Sequence, residues 1–303
     1  MFAVMLKDPP QANNAFLNDA RSAARVELVR WRDEAFSAEV DSVAIEEPLE
    51  IRLGFFIGDT PATKSVAVTM RTPGHDDELA VGFLVTEGIV NRRDELVRVS
   101  RCAGTPESAA NRVRVDLARG AATELNRLDR NFYTTSSCGV CGKASIEAIS
   151  VPVLPVETAF RLTQRVLTSL PARLREAQPT FEQTGGLHAA ALFSATGVRR
   201  ALREDVGRHN AVDKLIGRCF LDDALPLQNY ALMLSGRASF ELIQKALVAG
   251  VRFIAAVGAP SSLAVQLAKT HDATLVGFLR DDRYNIYCGA ERVDADVHVL
   301  ESL

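Results

Sequence analysis

The stretch YALMLSGRASFELIQKALVAGVRFIAAV, residues 230–257, predicts a strand, a helix and a second strand in succession. Apolar side chains fill residues 230–234 and 253–257, and residues 238–249 have the apolar spacing of an amphipathic helix. Two parallel strands joined by a helix form the repeating unit of layered α/β proteins. This stretch therefore predicts an α/β fold with parallel strands.

The same alternation extends in both directions along the chain. Further strands are predicted at residues 187–193, 198–204, 274–279 and 284–288, and further helices at 142–150, 158–175, 210–220 and 261–270. Nearer the N-terminus, strands at 43–53, 64–70, 96–101 and 112–117 surround a helix that begins with three acidic residues at 76–78. These patterns divide the chain into a flexible tail at 1–24, a small α+β domain at 25–130 and an α/β domain at 131–303.

Composition narrows the possible functions. The 303 residues include 35 Lys and Arg against 38 Asp and Glu, and a net charge of −3 gives no sign of nucleic-acid binding. No apolar run approaches the ~18 residues of a membrane span, and the N-terminus lacks the apolar core of a signal peptide. Five cysteines in a long chain do not resemble a disulfide framework. We therefore expect a cytoplasmic protein without nucleic-acid or membrane partners.

Three predicted strand-to-helix junctions, at residues 203–210, 235–239 and 258–262, share one chemistry. Each combines small residues at the end of a strand with a helix start, whose exposed backbone N–H groups attract anions. One such junction could be a simple tight turn, but three in series favour a phosphate-bearing ligand at the carboxyl ends of the strands. Neither Gly-x-Gly-x-x-Gly nor the Walker A pattern is present. The candidate ligand-binding residues are Arg208, His209, Ser235, Gly236, Arg237 and Gly258.

A fourth candidate is the segment Phe278-Leu279-Arg280-Asp281-Asp282-Arg283, which follows an apolar strand. It fits a charged turn with the two aspartates at its tip. It also fits a base-recognition loop, because carboxylates can accept hydrogen bonds from guanine while arginines pair with phosphate. The spacing alone favours the turn. Among the histidines, His188 lies on a predicted strand and is expected to be a hydrogen-bonded core residue.

The segment TTSSCGVCGK, residues 134–143, contains the most reactive pair of side chains. Cys138 and Cys141 are three positions apart, and Gly139 and Gly142 predict a flexible loop. Lys143 and the predicted helix start beyond it would favour the thiolate form. The pair is therefore a candidate for zinc binding, for thiol–disulfide chemistry or for sulfur transfer.

The surrounding sequence bears on each of these three interpretations. A structural zinc site normally needs four ligands, and the other cysteines lack a second paired spacing. Zinc deaminases combine His-x-Glu with a later Cys-x-x-Cys, but here Ala190 stands where the glutamate would be and the cysteines precede the histidine. A redox pair is compatible with the spacing, although neither a preceding Trp nor an intervening Pro is present. A persulfide carrier needs a mobile thiolate, which this loop could supply.

Several motifs, in one order, resemble those of the FdhD family, the sulfurtransferase accessory proteins of formate dehydrogenase. They are RTPG at 71–74, SCGVCGK at 137–143, TGGLH at 184–188, DVGRHNAVDK at 205–214, SGR at 235–237 and GAPSS at 258–262. The resemblance extends from about residue 40 to the C-terminus. It implies a homodimer whose larger domain has a cytidine-deaminase-like fold.

The resemblance also implies a reaction. The protein would accept sulfur as a persulfide from a cysteine desulfurase. It would pass this sulfur to the molybdenum or tungsten bis-guanine-dinucleotide cofactor that formate dehydrogenase requires. The persulfide cysteine falls on Cys138, and Cys141 matches the second cysteine of the motif. The cofactor-binding stretch falls on residues 278–283, so a guanine nucleotide should mimic the cofactor. The alternative is a non-enzymatic chaperone that binds the cofactor and the apo-dehydrogenase.

Overall fold

The computed structural model describes residues 22–102, 110–121, 151–153 and 155–295. Its largest sheet contains six strands. They are β8 (His188–Phe193), β9 (Arg199–Asp205), β10 (Ala231–Leu234), β11 (Phe253–Ala256), β12 (Thr274–Gly277) and β13 (Asn285–Cys288). Their spatial order is β13-β12-β11-β10-β8-β9. This central sheet corresponds to the strands predicted between residues 187 and 288.

The strand directions differ in part from the prediction. Strands β10, β11 and β12 are parallel, whereas β8 pairs antiparallel with β10 and β9, and β13 pairs antiparallel with β12. The reason is that β8–β9 and β12–β13 are joined by short connections, and a parallel pair needs a long crossover. The predicted α/β fold class is confirmed, and the prediction of parallel strands holds for the middle of the sheet.

Six helices lie in the described part of the chain. They are α1 (Asp76–Thr86), α2 (Gln164–Arg175), α3 (Pro179–Thr184), α4 (Arg208–Leu221), α5 (Phe240–Val248) and α6 (Ser262–Thr270). The helix predicted at 158–175 begins only at Gln164, because Leu162–Thr163 forms a short strand, β7, beside β14 (Val293–Asp294). The Thr163 hydroxyl then caps α2 by accepting from the Val166 N–H at 3.3 Å. The helix predicted at 142–150 lies outside the described residues.

The two faces of the central sheet contribute to two separate hydrophobic clusters. Alternate side chains of β10 divide between them, since Leu232 and Leu234 join one cluster while Ala231 and Met233 join the other. The first cluster continues into α4, α5 and the N-terminal region. The second contains Leu167 and other apolar residues of α2. The central sheet is therefore buried on both sides.

The N-terminal region forms its own four-stranded sheet with the order β4-β3-β6-β5. Its strands are β3 (Glu47–Ile57), β4 (Thr60–Arg71), β5 (Leu96–Arg101) and β6 (Arg112–Leu117). The prediction gave the bounds of β5 and β6, and it placed β3 and β4 with shifted ends. Helix α1 joins this sheet to the rest of the molecule, because it packs against α4. The predicted domain boundary at 130 lies outside the described residues and stays a prediction.

A hairpin that the sequence analysis did not predict precedes this sheet. Strands β1 (Ala23–Arg32) and β2 (Ala35–Ala44) pair antiparallel over their whole length. The hairpin starts inside the range predicted as a tail, and residues 1–21 lie outside the described residues. Its turn uses Asp33 and Glu34, both with positive φ, in place of the glycine that signals such turns. The missing glycine explains why the pattern gave no hairpin signal.

A candidate anion-binding site

One edge of the central sheet gathers the junctions that the sequence singled out. Strand β9 runs in the same direction as β10, because both pair antiparallel with β8. The carboxyl ends of β9, β10, β11 and β12 therefore meet at one edge, where β8 begins. We call this region the carboxyl edge. It comprises His188 and residues 205–209, 235–239, 258–261 and 278–283.

Backbone segments approach one another closely at the carboxyl edge. The Gly258 N–H donates to the Gly236 carbonyl at 2.9 Å, and the Ala238 N–H donates to the Ala259 carbonyl at 3.1 Å. A Cβ atom on Gly258 would lie 2.9 Å from the Gly236 oxygen and 3.0 Å from Arg237 backbone atoms. Glycine is therefore required at 258 for the two loops to pack against each other.

Two of the three helices that start at this edge lack a side-chain cap. Helix α4 follows Gly207 and helix α5 follows Ser239, and neither residue makes a capping hydrogen bond. Helix α6 differs, because the Ser261 hydroxyl accepts from the Ala264 N–H at 3.2 Å. Uncapped first-turn N–H groups and the positive end of the helix dipole favour an anion. The start of α4 can thus serve as an anion contact, whereas the first turn of α5 already carries the Glu241 carboxylate.

Unpartnered polar atoms concentrate at the same place. Five buried side-chain N or O atoms in the described residues have no hydrogen-bond partner, and three of them are Arg208 Nε, His209 Nε2 and Ser239 Oγ. Such atoms are rare in folded proteins because each loses its water without replacement. All three belong to the first residues of α4 or to the residue before α5. A ligand at the carboxyl edge would supply the missing partners.

Groups of both charge signs lie around these unpartnered atoms. His209 Nε2 lies 3.9 Å from Glu241 Oε2, a distance that allows charge attraction but exceeds hydrogen-bond length. Burial by itself raises the pKa of Glu241, but His209, the backbone and Ser239 together lower it to about 2. Glu241 is therefore an anion at neutral pH. It lies beside His209 at the start of α5 and adds a negative charge there.

A buried network fixes the start of α4. Asp205, at the end of β9, accepts from the Gly207 N–H at 2.8 Å, from Asn210 Nδ2 at 3.0 Å and from the Thr72 N–H at 3.2 Å. The Lys214 ammonium lies 2.7 Å from the same carboxylate and donates to the Thr72 carbonyl at 2.8 Å. All the polar groups of this network have partners. This network therefore fixes the backbone at the start of α4, where Arg208 and His209 lie.

The segment at 278–283 forms the charged turn that its spacing favoured, and base recognition by this segment stays a prediction. The Arg280 N–H donates to the Arg283 carbonyl at 2.8 Å, which closes a turn with Asp281 and Asp282 exposed at its tip. Phe278 has a φ of +53°, unusual for a bulky residue, and its side chain is 44% exposed. This backbone conformation turns the Phe278 ring outward while Leu279 is buried in the core.

Arg280 has a structural role in this turn. Its Nη1 donates to the Val257 carbonyl at 2.7 Å and to the Leu279 carbonyl at 2.8 Å. The guanidinium therefore joins the end of β11 to the 278–283 turn. Arg283 instead lies beside Asp282 at 3.5 Å, and both side chains are 73% exposed. Arg280 and Arg283 are both exposed, and of the two it is Arg280 that holds the turn to the end of β11.

The candidate catalytic residues Cys138 and Cys141 lie outside the described residues. Two other cysteines are described with shifted pKa values. Burial raises the pKa of Cys219 to about 12, and burial also raises that of Cys288. Neither thiol is disposed to form a thiolate at neutral pH. Within the described ranges, no cluster of three or more His, Cys, Asp or Glu side chains could hold a metal ion.

The structure adds three residues to the predicted set at the carboxyl edge. Ser239 and Glu241 belong to the start of α5, and their sequence context resembles an ordinary helix start. His188 was expected to be a core residue, yet its ring lies against Gly236 at the edge and is only half-buried. The signal that could have found it is its position at the first residue of a strand that follows two glycines.

These features define a mixed α/β protein with a candidate anion site at one sheet edge and a Cys-x-x-Cys pair elsewhere in the chain. In the described residues, no helix is both long and apolar enough to cross a membrane. The FdhD/NarQ family model matches residues 44–294. The chain therefore belongs to the FdhD/NarQ family.

Similar proteins agree with this assignment. The chain is 50% identical over 279 residues to the sulfur carrier protein FdhD of Streptomyces avermitilis, covering 90% of this chain and 96% of the relative. It is 41% identical over 269 residues to the protein of the same name from Sulfurisphaera tokodaii, covering 89% and 98%. A solved structure from Desulfotalea psychrophila, assigned as a formate dehydrogenase accessory protein, matches with a TM-score of 0.72 and 25% identity over 90% of this chain and all of that one.

Proposed function

We propose that this protein is a sulfur carrier that serves a formate dehydrogenase, with Cys138 as the residue that bears the sulfur. The observation that carries the proposal is the family membership combined with the Cys138-Gly139-Val140-Cys141 motif in this chain. Relatives at about half identity bear the name of sulfur carrier. The raised pKa values of Cys219 and Cys288 support the choice of the paired cysteines over these two.

The proposed acceptor is the molybdenum or tungsten bis-guanine-dinucleotide cofactor, bound as a substrate at the carboxyl edge. Its diphosphate groups match the uncapped start of α4 and the unpartnered atoms of Arg208, His209 and Ser239. The chain thus offers several independent contacts of the kind that a dinucleotide phosphate requires.

The proposed guanine contacts lie in the 278–283 turn. Asp281 and Asp282 are exposed at its tip and can accept hydrogen bonds from the guanine N1–H and amino group. Adenine presents no donor at the corresponding ring nitrogen. The outward Phe278 ring offers an aromatic surface for stacking of a flat base.

The proposed chemistry begins with attack of the Cys138 thiolate on the outer sulfur of a donor persulfide on a cysteine desulfurase. The donor S–S bond breaks, the donor cysteine leaves as a thiolate, and Cys138 becomes the persulfide. Cys141 can then attack the inner sulfur of that persulfide. This step forms a Cys138–Cys141 disulfide and releases sulfide to the acceptor. An external thiol would reduce the disulfide and restore the pair.

Persulfide formation is tested by mass spectrometry after incubation with a cysteine desulfurase and cysteine. We expect an added mass of about 32 Da on the peptide that contains Cys138. The addition should disappear in Cys138→Ala and persist in Cys288→Ala, which removes a thiol of raised pKa. Sulfur found on other cysteines but never on Cys138 would contradict the assignment.

The alternative function is a chaperone that binds the cofactor and the apo-dehydrogenase without carrying sulfur. It shares the carboxyl edge with the main proposal but needs neither cysteine. A Cys138→Ala variant separates the two, because only a chaperone would still support an active formate dehydrogenase. Location in the cytoplasm and assembly as a homodimer belong to the same proposal, and size-exclusion chromatography with light scattering tests the second.

Guanine recognition is tested by thermal denaturation with nucleoside diphosphates. Guanosine diphosphate should raise the melting temperature, and adenosine diphosphate should raise it much less. A ligand at one hundred times its Kd stabilises a protein by about 2.7 kcal/mol, which is readily measured. In the double variant Asp281→Asn/Asp282→Asn the preference for guanosine diphosphate should diminish. Equal protection of the wild type by both nucleotides would argue against base recognition at this turn.

A further inference from the structure

His188 occupies the centre of the carboxyl edge. It is the first residue of β8, and it lies beside the loop that follows β10. The Ser235 N–H donates to the Ala189 carbonyl at 3.0 Å and the Ser235 hydroxyl accepts from the Ala189 N–H at 2.8 Å, which fixes this pairing. A Cβ atom on Gly236 would lie 3.2 Å from His188 Nδ1 and 3.3 Å from Cε1. Glycine at 236 therefore leaves the imidazole room to lie flat against the loop.

The groups that act on His188 come from every neighbouring element. Asp205 is its register partner on β9, Arg208 and His209 begin α4, and Arg237 lies in the loop after β10. Burial, followed by the charges of Arg208 and His209, lowers the pKa of His188, and Arg237 acts in the same direction. Asp205 opposes them, but its carboxylate already binds Lys214. The free protein therefore favours a neutral His188.

An anion bound at this edge would favour the protonated form of His188 instead. It would compensate the positive charges of Arg208 and Arg237 and would itself attract a positive imidazole. We propose that His188 is an additional anion-contacting side chain of the carboxyl edge and that it takes up a proton when an anionic ligand binds. The inference rests on the proposed function, since it deepens the description of the same site. It predicts that affinity for diphosphates increases as the pH falls.

The size of the effect follows from proton linkage. If one proton enters with the ligand, affinity falls by up to about tenfold for each pH unit between the pKa of His188 in the free protein and its higher pKa in the complex. Removing the imidazole should abolish this dependence and weaken binding most at low pH. The titration of the ligand's own phosphate is common to wild type and variants. The comparison between proteins therefore isolates the contribution of His188.

The test is isothermal titration calorimetry with guanosine diphosphate and with pyrophosphate, each in two buffers of different ionisation enthalpy at pH 7.5. The buffer dependence of the heat gives the number of protons taken up. Wild type should take up protons with both ligands, and His188→Gln should take up fewer. The control is His271→Gln. His271 lies at the end of α6, and burial and the charge of Arg252 lower its pKa as well. It should behave as wild type.

A second measurement needs no variant of His188. The pKa of its imidazole, followed by NMR in the wild type, should rise when pyrophosphate is added. Binding without proton uptake, or uptake that His188→Gln retains, overturns the inference and leaves the proposed site intact. Absence of binding by both ligands overturns the inference together with the anion site of the proposed function. Uptake with pyrophosphate but no preference for guanine counts only against base recognition.

Discussion

Replacing Gly82 by alanine should destabilise the protein even though alanine is ordinarily the better helix former. Gly82 lies in α1, and a Cβ atom on it would stand 1.8 Å from the Asp213 carbonyl oxygen and 2.6 Å from the carbonyl carbon on α4. The same holds for Gly217 on α4, because a Cβ atom on it would stand 1.8 Å from the Glu78 carbonyl oxygen on α1. The obstacles are backbone atoms, which no change of rotamer can move. The two helices must therefore shift apart to admit a methyl group.

Two opposing effects set the magnitude. Alanine instead of glycine in a helix interior contributes up to about 1 kcal/mol of stability. Overpacking a core costs about 1–3 kcal/mol and occasionally more. The approach at Gly82 is well inside the 3.4 Å at which ordinary contact begins, so the cost belongs at or above the upper end. We expect a net loss of about 2 kcal/mol or more, roughly a thirtyfold change in the folded-to-unfolded ratio.

Urea denaturation followed by circular dichroism measures this loss as a shift of the midpoint. Gly186→Ala is the matched control, because its Cβ would meet nothing closer than the Ala44 Cβ at 3.6 Å. The control should remain within about 0.5 kcal/mol of wild type. If Gly82→Ala behaves like Gly186→Ala, the description of the α1–α4 contact is wrong.

Two further predictions concern buried charges. Lys245→Met should lose about 3–5 kcal/mol in urea denaturation, because it leaves the Asp213 carboxylate, 2.9 Å from the ammonium, buried without its ion partner. Arg92→Met is the control, because Arg92 pairs with Asp94 where both side chains are about 70% exposed, and its free energy of unfolding should change little. Burial by itself raises the pKa of Glu78, but hydrogen bonds and charge attraction from Arg203 and His75 together lower it from 4.5 to about 2. Its contribution, on the order of 3 kcal/mol, is present above about pH 4.5 and lost as the pH falls toward 2, so an acid titration of stability should be shallower for Glu78→Gln.

The sequence predicted the carboxyl edge well because short-range patterns determine it. Small residues at 236 and 258 mark the ends of apolar strands, and an α/β sheet brings such ends together whatever the details of packing. The same reasoning put Arg208 and Arg237 at this edge as candidate phosphate contacts. Local patterns were sufficient for the junctions that follow β9, β10 and β11, although they did not give the antiparallel direction of β8 and β13.

Other features depend on contacts that a local pattern does not contain. The hairpin turn at Asp33 and Glu34 lacks glycine, so nothing in the sequence marked it. His188 carries the sequence signature of a core residue, and only the register of β8 beside β10 moves it to the edge. Asp205 and Lys214 form a pair across the β9–α4 junction, and their burial follows from the packing of the Thr72 turn against them.

The contrast between Ser239 and Ser261 supplies a direct measure of whether the carboxyl edge is built for a ligand. Both serines precede a helix, but Ser261 caps α6, whereas the buried Ser239 hydroxyl only lies near the Glu241 carboxylate and has no partner in hydrogen-bond geometry. Removing a cap costs about 1 kcal/mol, so Ser261→Ala should destabilise the protein. Removing an unsatisfied buried hydroxyl relieves a desolvation penalty of about 1–3 kcal/mol, so Ser239→Ala should be neutral or stabilising without ligand.

Ligand binding should reverse this order. If the Ser239 hydroxyl donates a hydrogen bond to a bound anion, Ser239→Ala should lose part of the thermal protection by guanosine diphosphate, whereas Ser261→Ala should keep it. If Ser239 had only a structural role, Ser239→Ala would lower the stability of the free protein and would leave the thermal protection by guanosine diphosphate unchanged. The stability of the free protein and the protection by the ligand therefore distinguish a structural role from a ligand-binding role. Equal destabilisation of both variants, with unchanged protection, would show that Ser239 is an ordinary helix cap. The unpartnered atoms would then no longer support a ligand site at this edge.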